Sequence, residues 1–376
     1  MVSSNRQGYA YLSDNRTTVL DRKGRLVKQA SAAAPPPAPP GANPGTRGAF
    51  TRSTTVVGLT GLLVVLLLGG LFVGSGDFSG AQAWDALWGV GDPTTLTIIR
   101  DDRIPRTLLC AVVGAALGVA GAVMQGLTRN PLADPGILGV NAGAYFAMVL
   151  GSVVFGATTA DYTWWAMLGA LGASVLVYFV GSRGAGGATP AKLVLTGVAV
   201  AAMLSGLAFA LTMIHPKTFD AIRGLLIGTL DGRGWSQLSA AWIPVLIGLA
   251  ASVALVGYLN ALALGDDRAS ALGVPVTTVR AVGFIAVTLL CGAATAAVGP
   301  ITFVGLMVPH AVRMVVGPDN RWVIPLSMIV GPIVMVASDL IARVITSSEL
   351  PVGMVTAFLG APLLIWLARR ESGPQL

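Results

Sequence analysis

The stretch RIPRTLLCAVVGAALGVAGAVMQGLTRNPLADPGILGVNAGA, residues 103–144, opens on two arginines and carries an acid between two prolines near its end. Between Arg106 and Arg129 no residue is charged. At about 1.5 Å per residue such a run covers roughly 30 Å of hydrocarbon. Its alanines and glycines let a helix approach its neighbours closely. NPLADPG then breaks the helix twice, leaving irregular backbone where the span ends. In a membrane, backbone of that kind is tolerated where it lines a water-filled cavity.

The whole chain reads the same way. Of its 376 residues 54% are hydrophobic and 11% charged, with a mean hydropathy of +0.75. A soluble domain carries roughly a quarter charged residues, so most of this chain must face lipid. The pattern predicts an all-α, polytopic membrane protein with about ten transmembrane helices. The spans run near 56–74, 106–127, 136–156, 164–181, 190–214, 240–260, 278–297, 301–317, 323–345 and 351–368. The 301–317 span is short and follows its predecessor closely. If the N-terminus is inside, seventeen Lys/Arg lie inside and seven outside, which predicts both termini in the cytoplasm. LLCAVVGAALGVAG (108–121) and LLCGAATAAVG (289–299) echo each other on spans of opposite direction, as an inverted repeat or by chance.

Three regions follow: a basic Pro/Ala-rich tail at 1–53, a transmembrane domain at 54–370, and a short cytoplasmic end at 371–376. The tail carries +6 of the net +7, so the basic balance belongs to a lipid-facing segment and gives no reason to expect nucleic acid. SAAAPPPAPPGANPG (31–45) is too rich in Pro, Ala and Gly to pack a core and is expected to be disordered or a spacer. No signal peptide is expected ahead of it, because the first apolar run begins near Thr55. Cys110 and Cys291 lie in apolar stretches without metal-ligand spacing and read as small buried side chains.

No enzyme constellation emerges. GSRGAGGATPAK (181–192) lacks the Gly-Lys-Ser/Thr of a phosphate loop, and Gly-Lys occurs nowhere in the chain. ATP, if used, must be bound by another chain. Arg103 and Arg106 flank a proline at the outer mouth of a span, where they are carboxylate-binding forks or snorkelling anchors. LALGDDRASALGVPVTTVR (262–280) is an inside loop of short helical character, suited to docking a cytoplasmic partner or simply solvated. Asp339 and Arg343 stand four apart on a helix and can pair.

The pattern R-x-P-R, Q-x-x-x-R-N-P-L-A-x-P, A-L-G-V, F-V-G-L-x-x-P-H-x-x-R, D-x-x-A-R and E-L-P-V-G-x-x-T-A resembles the iron-siderophore and vitamin B12 permease family, from about residue 56 to 370. These are the membrane subunits of type II ABC importers. The resemblance implies ten helices per subunit in a bacterial cytoplasmic membrane and a path shared with a second permease, identical or homologous. Two cytoplasmic ATPases would hold ATP and Mg, with no cofactor or metal in this chain, and an external binding protein would deliver cargo. Arg103, Arg106 and Arg343 resemble external arginines that meet the binding protein, with Asp339 holding Arg343 in place. Gly265, Asp266, Ala271, Leu272 and Gly273 resemble the segment that couples to the ATPase. Asn130 and Leu132 resemble an inner gate, with Thr189 a further gate residue.

Leu225, Thr229 and Asn141 depart from the family pattern, which bears on cargo or path packing. Ferric siderophore is the expected cargo, with haem or cobalamin as alternatives. Pro309, His310 and Arg313 read as a hinge: the proline frees a carbonyl that His310 or Arg313 could satisfy. A rival reading makes Asp339 and His310 the titrating groups of an ion-coupled secondary transporter; another makes the chain a purely structural subunit.

Overall fold

The computed structural model describes residues 18–20, 26–28, 44–74, 79–158, 161–183, 189–345 and 349–371. The chain divides into two units, Met1–Phe50 and Thr51–Leu376. In the first, β1 (Thr18–Leu20) pairs antiparallel with β2 (Leu26–Lys28), Val19 opposite Val27. Residues 31–43 of the Pro/Ala-rich stretch and residues 372–376 lie outside the described residues. Helix α1 (Pro44–Phe72) starts ahead of the expected boundary at residue 54, with proline at its first position, where the missing N–H costs nothing.

Two short helices follow, α2 (Gly80–Leu87) and α3 (Pro93–Thr97). A π-helical turn, Ile98–Arg103, joins α3 to α4 (Ile104–Thr128). The segment 129–139 holds one 3-10 turn, Pro135–Leu138, and leads into α5 (Val140–Phe155), α6 (Tyr162–Gly181) and α7 (Pro190–Ile214). Next come α8 (Pro216–Ile222), a 3-10 turn at Arg223–Ile227, α9 (Trp235–Ala254), α10 (Val256–Leu262) and α11 (Asp266–Ala271). The chain ends with α12 (Val276–Val298), α13 (Val304–Val316), α14 (Asn320–Ile345) and α15 (Val352–Glu371).

Seven helical runs among the described residues are long and apolar enough to cross a membrane, and α5, α13 and α15 are shorter apolar helices at the other three expected positions. Among the boundaries that differ from expectation, two have a clear local cause. The third span begins at Val140 rather than 136, because Asp134 accepts from the Gly136 N–H and caps a 3-10 turn there. The sixth begins at Trp235, where the Gln237 side chain accepts from the N–H of Gly234.

The apolar windows of α4 and α12 are each 78% buried and that of α1 only 6%, so the first two form the core and α1 lies at the rim. Large apolar side chains along α7, including Leu195, Met203 and Phe209, are exposed, as lipid-facing positions require. Lipid tails are as apolar as leucine, so these helices gain by close van der Waals approach rather than by escaping water. α4 and α14 meet at Gly114 and Gly331, where a Cβ on Gly114 would lie 2.5 Å from the Gly331 carbonyl oxygen.

A second backbone joint connects distant parts of the chain. The Thr229 N–H donates to Val298 O at 2.8 Å, and the Gly353 N–H to Gly228 O at 3.0 Å. Gly228 and Gly299 hold positive φ, 74° and 84°, where a side chain would be strained. Leu225 and Thr229, two departures from the family pattern, thus sit in a packing joint: Leu225 is buried and its carbonyl lies against Gly299.

Gly114→Ala should lower the thermal stability of the detergent-purified protein by an amount typical of overpacking, about 1–3 kcal/mol. Gly172→Ala, whose Cβ would meet nothing within 4 Å, should leave the midpoint unchanged.

Candidate translocation path

Side-chain contacts define two ends of the bundle. At one end α1 and α14 finish and α4 starts, and five ionisable groups converge. Arg106 donates to Asp339 Oδ1 from Nη2 at 2.8 Å and from Nε at 3.2 Å, and from Nη1 to Glu349 Oε2 at 2.7 Å. Arg343 pairs with the other oxygen of Asp339 and donates to the carbonyls of Gly70 and Val73 at 2.9 and 3.3 Å. Arg103 donates to Leu71 O at 3.0 Å. Glu349 is one of only two glutamates in the chain.

Arg103, Arg106 and Arg343 are 3%, 4% and 7% exposed, so in this conformation their guanidiniums join α1, α4 and α14. Asp339 does hold Arg343, and holds Arg106 as well. Its carboxylate, 1% exposed, lies between the two guanidiniums.

In the interior, two interruptions of the helical chain fit together. Pro309 withdraws the N–H that would bond to the Gly305 carbonyl. That carbonyl faces Gly121 of α4, where any Cβ would collide with it. One residue on, Leu306 O accepts from Gln125 Nε2 at 3.1 Å, and Arg313 donates to the Gln125 side-chain oxygen. Among the described residues neither His310 nor Arg313 bonds to the freed carbonyl; Arg313 reaches the α13 backbone through Gln125. His310 is buried on the same helix.

The second interruption is segment 129–139. A Cβ on Gly305 would lie 2.9 Å from Pro135 Cδ, so the segment reaches back into the bundle beside α13 and α4. Its further end is fixed by a 2.8 Å hydrogen bond from Thr295 of α12 to Asn141. Burial pushes the Asp134 carboxyl above its ordinary value of 3.8, with the Gly136 N–H acting against the shift. Asn130 and Leu132 stand together on an exposed turn, where the Leu132 N–H donates to Asn130 Oδ1 at 2.9 Å. Thr189 caps α7, accepting from the Lys192 N–H at 3.5 Å. No hydrogen bond joins it to that turn among the described residues.

At the other end, α11 is a short helix with Ala269 inward and Ala271, Leu272 and Gly273 exposed. Gly265 precedes it at φ +102°. Asp266 is engaged within the chain: Arg280 Nη2 bridges its two oxygens at 3.0 and 2.8 Å, and Arg129 Nη2 lies 3.3 Å from Oδ1. Nearby, Asn260 accepts from the Asn320 N–H at 2.9 Å and donates to Asp319 at 2.6 Å, tying α10 to the start of α14. Gln125, Arg129, Asn260, Arg280 and Glu349 were not assigned roles from the sequence. A lone amide on an apolar helix face and a rare glutamate were the available signals for Gln125 and Glu349.

Two predictions test these contacts. Asp339→Ala leaves two buried guanidiniums without their carboxylate and should cost about 3–5 kcal/mol in thermal or denaturant unfolding. For Asp134, the folded-state pKa is raised, so its contribution is fully favourable below 3.8 and lost as pH rises from there through the folded value. Asp134→Asn, which keeps the cap, should therefore raise the melting temperature at neutral pH and flatten its pH dependence above 3.8; an unchanged pH profile would contradict the assignment.

Comparison with known proteins agrees with this geometry. Residues 62–370 match the FecCD transport family. The chain is 46% identical over 325 residues to the Escherichia coli ferric enterobactin transport system permease FepD, covering 86% of this chain and 97% of the relative. It is 38% identical to the Halobacterium salinarum cobalamin import permease BtuC, covering 77% and 80%. A solved inward-facing ABC transporter of metal-chelate type superposes with a TM-score of 0.75 at 31% identity, covering 85% of this chain and 99% of that one. By a match over residues 62–370, this chain belongs to the FecCD transport family and is a membrane-spanning permease subunit of the type II ABC importer fold.

Proposed function

We propose that the chain forms the path of an ATP-driven importer for a ferric siderophore, working by alternating access. The observation that carries this reading is the 46% identity to a ferric enterobactin permease across 86% of the chain. The geometry supports it. A segment of broken helix enters the bundle beside α4, α12 and α13, and a short helix flanked by exposed leucines lies at the end where that segment begins. Haem or cobalamin import would use the same architecture, and the cobalamin relative is 38% identical.

The Asp266 end then faces the cytoplasm, in line with the distribution of Lys and Arg, and both termini lie inside. Leu264 and Leu272, 53% and 66% exposed, flank α11 and offer an apolar contact to a separate ATPase subunit carrying ATP and Mg. The Arg106 end faces outward toward a binding protein. Because its three arginines are buried in this conformation, docking there requires their network to open. A second permease subunit completes the path.

Reconstitution in liposomes with partner ATPase and binding protein tests the proposal, using radio-iron-loaded enterobactin as probe. Uptake should require ATP and the ATPase. Uptake driven by a proton or sodium gradient without the ATPase would overturn it in favour of a secondary transporter. Leu272→Asp should reduce copurification of the ATPase, because a charge would be placed in an apolar contact, while the permease keeps its melting temperature.

A further inference from the structure

Asp266 was expected on the ATPase-facing surface, yet both its oxygens are engaged inside the chain. We infer that Asp266 is the positioning residue through which displacement of α11 reaches the path segment 129–139. The inference rests on the reading that α11 receives an ATPase, and deepens it by naming the internal link.

Four observations place the link. Asp266 is the first residue of α11, and Gly265 before it adopts φ +102°, a backbone conformation that leaves this junction to glycine. Arg280 stands about one turn into α12; its side chain is 11% exposed and holds both oxygens of Asp266, which fixes the carboxylate to the core. Arg129 ends α4 with φ 52°, so its placement sets the direction in which the chain leaves toward Asn130 and Leu132. Its ion pair with Asp266 is the longer of the two, 3.3 Å against 2.8 Å, and the more exposed.

One carboxylate is thus shared by an inward, well-held guanidinium and an outward, loosely held one. A shift of α11 changes the Arg129 contact first, because the Arg280 contact is shorter and shielded. Exposed ion pairs are weak and salt-screened, which suits a contact made and broken in each cycle. The direction of action is from α11 through Asp266 to Arg129, and from there into the backbone of the gate turn.

The assembled complex, reconstituted with ATPase and binding protein and supplied with radio-iron-loaded enterobactin, provides the test. The measured quantity is iron taken up per ATP hydrolysed, at equal amounts of complex. Asp266→Ala and Arg129→Ala should each lower that ratio by about fivefold, the lower range of coupling between sites. ATPase copurification and ATP turnover should stay near wild type. The double variant should be no worse than either single one, and Asp266→Glu should recover part of the ratio. Arg321→Ala, an exposed arginine at the same end, should not change it. Normal ratios in both single variants, or losses that multiply in the double variant, would overturn the link. So would loss of ATPase copurification in Asp266→Ala, which would make Asp266 an ATPase contact. A wild-type complex without ATP-dependent uptake overturns the function reading and the link together; wild-type uptake with unaffected variants overturns the link alone.

Discussion

The carbonyl of Gly305 is the point on which the interior depends. A membrane core has no water to satisfy a carbonyl released from its helix, so the surrounding protein must accommodate it. Here Pro309 releases it, Gly121 gives it room, and the next carbonyl is held by Gln125. Pro135, from the other interruption, packs on the same glycine. The two breaks in the helical chain thus pack against each other at Gly305. Without the small residue on α4, neither α13 nor segment 129–139 could sit where it does.

The charges are distributed on a comparable logic. At one end, buried guanidiniums are matched with Asp339, Glu349 and the free carbonyls at the end of α1. At the other, Asp266 is half exposed and shared. Burial makes the first set costly to break, whereas exposure makes the second easy to exchange. In this conformation one end is therefore firmly tied and the other loosely.

Much of this was legible in the sequence. The ten apolar runs, the break at NPLADPG and the exposed short helix after Leu264 follow from periodicity, proline and composition. The roles of the arginines did not. Arg103 and Arg106 read as outward-facing because they end an apolar run, but burial depends on what α1 and the segment before α15 place above them, and no local pattern encodes that. The internal partners of Asp266 were hidden for the same reason: Arg129 and Arg280 lie far from it along the chain or on another helix. The helix-breaking proline was legible at Pro309, while the residue that makes room for the freed carbonyl lay nearly two hundred residues away in Gly121.

The joint of Gly228, Gly299 and Gly353 with Thr229 and Val298 has a consequence for substitution. Its hydrogen bonds run from main chain to main chain, and its contacts exclude side chains at the three glycines. A substitution at any of the three glycines would therefore disturb main chain from two distant parts of the sequence at once, whereas the hydrogen bonds themselves ask nothing of the side chains beside them.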